Sequence, residues 1–217
     1  MIFNIDYALQ ILPQLLHGAV ITLQATIGGM AFAVVGGLVL AVMRMSGLRI
    51  LRWTATAFVE FVRSTPLLIQ LFFVFYVLPR YGFQLNPFVA GILALGIHYS
   101  SYTSEVYRAG IQAVPRGQWE AAAALNLSPA GTWLRVILPQ AIPPIVPVLG
   151  NYLIAMFKDT PILFTISVHE LFFEALSEAG RTYRYFEPIT LVGLIFLVLS
   201  LGSALSLRKL ENRLAAT

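Results

Sequence analysis

The residues able to do chemistry in this 217-residue chain are few, and they fall in clusters. "HYSSYTSEVYRAG" sets His98, Tyr99, Ser100, Ser101, Tyr102, Thr103, Ser104 and Glu105 in succession, with Arg108 three residues on. Lys158 and Asp159 stand side by side after a long apolar run. Glu60 with Arg63, and Glu105 with Arg108, are spaced i, i+3, which puts opposite charges on one helix face. Catalysis would need a nucleophile beside an oriented base, or a ligand set around a metal. The His98–Glu105 cluster has no such partner, and His98 reads as a satisfied core residue. His169-Glu170 lacks the second histidine of H-E-x-x-H, no G-x-S-x-G turn occurs, and there is no cysteine. The only lysines, Lys158 and Lys209, do not follow glycine, so the chain has no phosphate-binding loop of its own. We therefore expect no catalytic residues and no metal site.

The setting of these clusters decides what they are for. The chain is 58% hydrophobic and 11% charged, with a mean hydropathy of +0.79, against about 25% charged residues in soluble domains. Uncharged runs near 20 residues read as membrane spans. They fall at Gly18–Met43, Phe88–Ser104 and Pro188–Leu207, with less clean ones at Ala55–Leu78 and Ile142–Phe157. The expectation is an all-α polytopic membrane protein of about five transmembrane helices. Five spans leave ten cations on one side: Arg44, Arg49, Arg52, Arg63, Arg108, Arg116, Arg135, Arg208, Lys209 and Arg213. Arg80, Lys158, Arg181 and Arg184 fall on the other. The positive-inside rule puts the ten in the cytoplasm, the N-terminus outside and the C-terminus inside. A basic pI of 9.6 distributed this way does not read as a nucleic-acid surface.

Ionisable groups inside apolar spans are costly and face protein or a water-filled path. Ser101, Thr103 and Glu105, with Lys158 and Asp159, are therefore the candidate lining of a solute path. A zwitterion could meet one carboxylate and one ammonium there. Glu60, Arg63 and Arg108 are expected in structural ion pairs at the cytoplasmic rim. The second span should start near Ala55, and Pro66 should bend or restart its helix. Gly29 and Gly36 share a helix face and suit close packing, within the chain or between subunits. The prolines of "PQAIPPIVP" suit a first helical turn, and Pro147 should kink or break the fourth span. Glu170, Glu174 and Glu178, spaced i, i+4, i+8, form one acidic face of an amphipathic helix, read as solvated and lying on the outer surface.

One stretch does not match its surroundings. "GQWEAAAALNLSPAGTWLRVILPQA", residues 117–141, reads as two short water-facing helices on the cytoplasmic side. Glu120 is placed in a first turn, Ala121–Ala124 is a strong helix former, and Asn126 suits the left-handed residue after a helix end. Ser128 then caps the second helix and Pro129 opens it. A rigid elbow of this kind is a docking device for a soluble partner.

This stretch resembles the cytoplasmic loop of ABC importer permeases, whose pattern is E-A-A-x3-G-x9-I-x-L-P. Glu120-Ala121-Ala122 opens it, Asn126 takes the glycine position, Val136 the isoleucine position, and Leu138-Pro139 closes it. "FVRSTPLLIQLFF", "EVYRAGIQAVPRGQWEAA" and "FKDTPIL" are similar to the polar amino-acid uptake family. "ALNLSPAGTW", "LPQAIPPIVPVLGNYLIAMFKDTP" and "TYRYFEPITLVG" are most similar to its ectoine/hydroxyectoine branch. The resemblance implies a type I ABC importer permease fold in a single domain, 18–208. An extracytoplasmic segment 1–17 and a cytoplasmic tail 209–217 would flank it. It implies a non-catalytic subunit of a bacterial inner membrane, forming half of a translocation pathway for a polar zwitterion. The partners would be cytoplasmic ATPase subunits that bind ATP and Mg, a second permease subunit or copy, an extracytoplasmic solute-binding protein and membrane lipid. The rival readings are a permease for a cationic or acidic amino acid, and an integral membrane enzyme or scaffold.

Overall fold

The computed structural model describes residues 3–215; residues 1–2 and 216–217, and the side chains of 213–215, lie outside the described residues. Among the described residues the chain is helical and carries no strand. Helix α1 runs unbroken over Ile5–Met45, Asn4 capping it by accepting from the Tyr7 N–H. At about 1.5 Å per residue it is about 60 Å long, twice a bilayer core. The helix runs without a break past residues 17 and 18. Helix α9 (Phe186–Ala215) likewise continues past residue 209.

The second traverse is broken. Helix α2 (Arg49–Ser64) stops at Thr65, and the segment Leu67–Tyr81, which opens with α3 (Leu67–Phe72), leaves at 108° to it. Pro66 is the cause: its ring forces Thr65 into extended backbone, φ −109° and ψ 132°. Of the two expected outcomes at Pro66, the helix restarts, and its first part begins at Arg49, not near Ala55. Beyond α3 the chain loosens into a π-helical turn, Phe73–Val77, and a 3-10 turn, Leu78–Tyr81. Another π-helical turn, Trp133–Ile137, lies between α6 (Pro129–Thr132) and α7 (Leu138–Asp159). Both π turns stand one residue before a proline, Pro79 or Pro139, whose missing N–H leaves a carbonyl of the ladder without its donor. Pro143, Pro144 and Pro147 lie inside α7, not in its first turn, and the helix continues through them.

Helix α4 (Pro87–Gln112) packs along α1, with α2, α3 and α7 closing around it. The glycines of α1 make this approach. A Cβ on Gly29 would lie 3.2 Å from Leu95, and one on Gly36 would lie 3.2 Å from Ser100. Gly29 and Gly36 thus serve packing within the chain. Helix α5 (Arg116–Ala124) and α6 form a short elbow, and α8 (Leu171–Thr182) follows the 3-10 turn Thr160–Ile166. Three helical stretches, Ile5–Met45, Pro129–Ile166 and Phe186–Asn212, are long and apolar enough to cross a membrane, and the α2–α3 pair is a fourth if counted as one span. Of the five expected, α4 is the one that apolarity does not identify, because its second half is the His98–Glu105 cluster.

The acidic face of α8 is the largest departure from expectation. It is turned inward, not to solvent. Glu170 is fully buried and Glu178 nearly so. The partners are polar residues of α1 at close to two-turn spacing, matched in antiparallel order. The Thr22 hydroxyl lies against Glu170 at 3.4 Å, Gln14 donates to Glu174 at 2.7 Å, and the Tyr7 hydroxyl donates to Glu178 at 2.8 Å. Glu170 also caps α8, accepting from the Phe172 and Phe173 N–H groups at 2.9 and 2.7 Å. Helical spacing shows that three acids share a face; it does not show which element that face meets.

Candidate functional site

The elbow forms from local signals. Helix α5 ends at Leu125, and Asn126 takes the left-handed conformation, φ 53°. The Asn126 N–H then donates to Ala123 O at 2.9 Å and the Leu127 N–H to Ala122 O at 3.1 Å, pairing the last carbonyls of the helix. Ser128 caps α6 by accepting from the Gly131 N–H at 3.2 Å, with Pro129 in its first turn. Trp119 and Trp133 meet edge-to-face at 5.2 Å and brace the two arms. Glu120, Ala121, Leu125 and Asn126 are exposed, Leu125 by 74%. Two details differ from expectation. Glu120 lies in the second turn of α5, because the helix starts at Arg116, so it does not complement the helix N-terminus. Ala122 is buried, packing the elbow together instead of facing a partner.

The polar residues of α4 sort into three groups. Ser101 and Thr103 are fully buried and bond to backbone: Ser101 donates to His98 O at 2.7 Å, and Thr103 donates across to Ala33 O of α1 at 2.8 Å. Thr103 ties α4 to α1, Ser101 bonds within α4, and neither is open to a path, which corrects both assignments. Glu105 takes three guanidiniums, Arg44 at 2.7 Å, Arg108 at 2.8 Å and Arg63 at 3.6 Å. It is an ion-pair hub joining α1, α2 and α4, not an open path residue. Arg108 pairs as expected. The Glu60–Arg63 pair does not form: α2 packs against α4 so that Arg63 lies beside Glu105, and Glu60 is left exposed.

The third group faces α3 and α7. Tyr99 donates from its hydroxyl to Asp159 Oδ2 at 2.7 Å. Tyr99, Tyr102 and Tyr152 stand with ring centroids 5.7 to 6.1 Å apart, and the Arg63 guanidinium lies 5.4 Å over the Tyr102 ring. His98 Nδ1 lies 3.3 Å from Gln70 Oε1. Gln70 donates its amide to Val62 O and Thr65 O at 2.7 and 2.9 Å, so it supplies the carbonyls freed at the α2–α3 break. Asp159 and Lys158 are exposed, and Lys158 ion-pairs with no carboxylate among the described residues. The arrangement offers one carboxylate, two part-exposed aromatic faces, Tyr102 and Tyr152, a histidine and an amide on one side of the bundle, with Tyr99 buried behind them. Such a surface can hold a cationic or zwitterionic solute by ion pairing and cation–π attraction. Gln70 and Tyr152 were not marked by spacing; the signal was their place beside Pro66 and within the run before Asp159.

A family model described as "Binding-protein-dependent transport system inner membrane component" matches residues 33–216. A probable amino-acid ABC transporter permease of Sinorhizobium fredii, y4tG, is 47% identical over 97% of this chain and 91% of its own length. The L-cystine transport system permease protein TcyB of Bacillus subtilis is 36% identical over 94% and 89%. The crystal structure of an amino acid ABC transporter with histidines superposes with a TM-score of 0.92 at 37% identity, covering 98% of this chain and all of that one.

Proposed function

The chain belongs to the family of binding-protein-dependent transport system inner membrane components, as a permease subunit of an amino-acid ABC importer, and we propose that its solute is a compact polar zwitterion of the ectoine/hydroxyectoine class. The observation that carries the solute reading is the Tyr99–Asp159 hydrogen bond beside Tyr102 and Tyr152. Asp159 supplies one charge for the cationic end of a zwitterion, and the tyrosine faces suit a delocalised cation. Lys158 and Arg63 flank this surface for the carboxylate end. Tyr102, Tyr152 and Asp159, with Tyr99 holding Asp159 from the buried side, replace Ser101, Thr103 and Glu105 as the path residues on this reading.

The elbow is the coupling device. Glu120, Ala121, Leu125 and Asn126 meet a cytoplasmic ATPase, while Ala122, Ser128 and Pro129 hold the shape. ATP and Mg belong to that ATPase. A second permease subunit completes the pathway, and an extracytoplasmic binding protein delivers solute to the opposite face. The chain lies in the bacterial inner membrane with its N-terminus outside and its C-terminus in the cytoplasm, the permease domain covering about residues 18–208. ATP-driven closure of the ATPases moves the elbows and exposes the path alternately to each side.

The test is uptake by the complete complex in proteoliposomes. Labelled ectoine, cystine, glutamine and arginine are offered separately and in competition. Transport of ectoine in preference to the other three supports the reading. Preference for arginine or glutamine moves the assignment to the cationic or polar amino acids.

A further inference from the structure

A recess of about 890 Å³ opens beside the elbow, away from the Tyr99–Asp159 surface. Arg44, Arg52, Arg108 and Arg116 line it, one from each of α1, α2, α4 and α5, with Trp119 and Trp133 on one wall. Its charge is not balanced from within. Glu105 is the carboxylate that reaches Arg44 and Arg108. Arg52 and Arg116 are exposed and ion-pair with no carboxylate among the described residues. Four guanidiniums converging from four helices repel one another, and the planar forks suit a phosphate.

A neighbouring recess on α2 indicates which kind of anion fits. It shares Arg52 and Thr56 with the first and continues over Arg49, Ile50 and Trp53. Ile50 and Trp53 are 78% and 75% exposed, while Ala55, Val59 and Val62 of the same helix are buried against the bundle. Helix α2 therefore bares apolar side chains and cations together, the pattern of a helix lying in the headgroup region. Tryptophans on the far wall suit the same depth. The outline is a polar head joined to an apolar strip.

We propose that the recess binds the phosphate headgroup of an anionic phospholipid, with its acyl chains passing over Ile50 and Trp53. The site is walled by Arg116 and Trp119 of α5 and by Trp133, so an occupant braces the elbow. The proposal uses the orientation given above only to assign the lipid to the cytoplasmic leaflet; binding itself does not depend on that reading.

The full chain in a neutral detergent is titrated with short-chain phosphatidylglycerol, with phosphatidylcholine and with inorganic phosphate, and retained ligand is counted by native mass spectrometry. Phosphatidylglycerol is expected to bind in preference to phosphatidylcholine, and inorganic phosphate to compete only weakly. Arg52→Ala and Arg116→Ala should each weaken it about fivefold. Arg135→Ala, on an exposed arginine outside the recess, should leave binding unchanged. Arg52→Lys and Arg116→Lys keep the charge and should retain most of it, which guards against a folding artefact. Equal retention of the two lipids, or no loss in the double alanine variant, overturns the proposal. So does phosphate binding as tightly as the lipid, which marks a free-anion site. Loss of ATPase recovery in the double variant without change in lipid marks a protein contact and also overturns it. None of these readouts is transport, so they are separate from the solute assignment.

Discussion

The Tyr99 hydroxyl donates to Asp159 Oδ2 at 2.7 Å, joining the middle of α4 to the last residue of α7. The two are far apart in sequence, and the bond sets the only exposed carboxylate of the tyrosine group at the meeting of two traverses. Asp159→Asn keeps the shape and removes the charge. It should lower kcat/KM for uptake about tenfold or more, the scale of one charge-assisted hydrogen bond. Tyr99→Phe should give a smaller loss. Unchanged kinetics for both, in a complex that assembles normally, would remove Asp159 from the path.

The left-handed Asn126 gives a test of the elbow. Asn126→Gly should be tolerated, since glycine adopts positive φ freely. Asn126→Val should cost about 1–2 kcal/mol at this one residue and loosen the elbow. The check is recovery of ATPase with the tagged permease after washing. Equal recovery for both variants would separate the elbow's geometry from coupling.

The α1–α4 approach can be probed at Gly37. A Cβ there would collide with Thr103 and lie 3.0 Å from the Ser100 carbonyl, which is backbone and cannot yield. Gly37→Ala should destabilise by about 1–3 kcal/mol. Gly193→Ala, where a Cβ meets nothing within 4 Å, should be neutral. Thermal unfolding in detergent distinguishes them.

Glu170 should make stability depend on pH. Burial pushes its carboxyl up to about 7, against the lowering effect of the Phe172 and Phe173 N–H groups. A carboxyl that is harder to ionise in the folded chain holds its proton there while the unfolded chain, near 4.5, has lost it. Its contribution is full below 4.5 and is lost as pH rises through about 7. Melting curves of Glu170→Gln across pH 5 to 8 should fall less steeply than those of the parent chain. Parallel slopes would place the titration elsewhere.

The chain has no cysteine, so single cysteines report topology directly. Tyr81→Cys and Tyr185→Cys should react with an impermeant thiol reagent in intact spheroplasts. Leu125→Cys and Gly47→Cys should react only after lysis. The opposite pattern would invert the orientation and detach the elbow from the cytoplasm.

Local chemistry was legible in the sequence because its causes are local. The turn at Asn126, the cap at Ser128 and the Glu105–Arg108 pair each depend on residues a few positions apart, so spacing alone specified them. Apolar runs gave the membrane class, since the cost of an unpaired polar group in lipid applies to each run independently. The α4 traverse was visible as an apolar run that ends in hydroxyls, and packing explains that end: Thr103 bonds to the α1 backbone across the glycine face.

What the sequence could not determine was which polar faces meet. Glu170, Glu174 and Glu178 read equally well as a solvated face, and only the antiparallel placement of α8 against Tyr7, Gln14 and Thr22 buries them. Arg63 could pair with Glu60 along α2; the packing of α2 against α1 and α4 takes it to Glu105 and Tyr102 instead. Asp159 finds Tyr99, and not Ser101 or Thr103, because one face of α4 is consumed by α1 and the other is left toward α7. A residue's partners within a helix follow from a fixed period, whereas its partners across helices follow from the order and rotation in which the traverses pack.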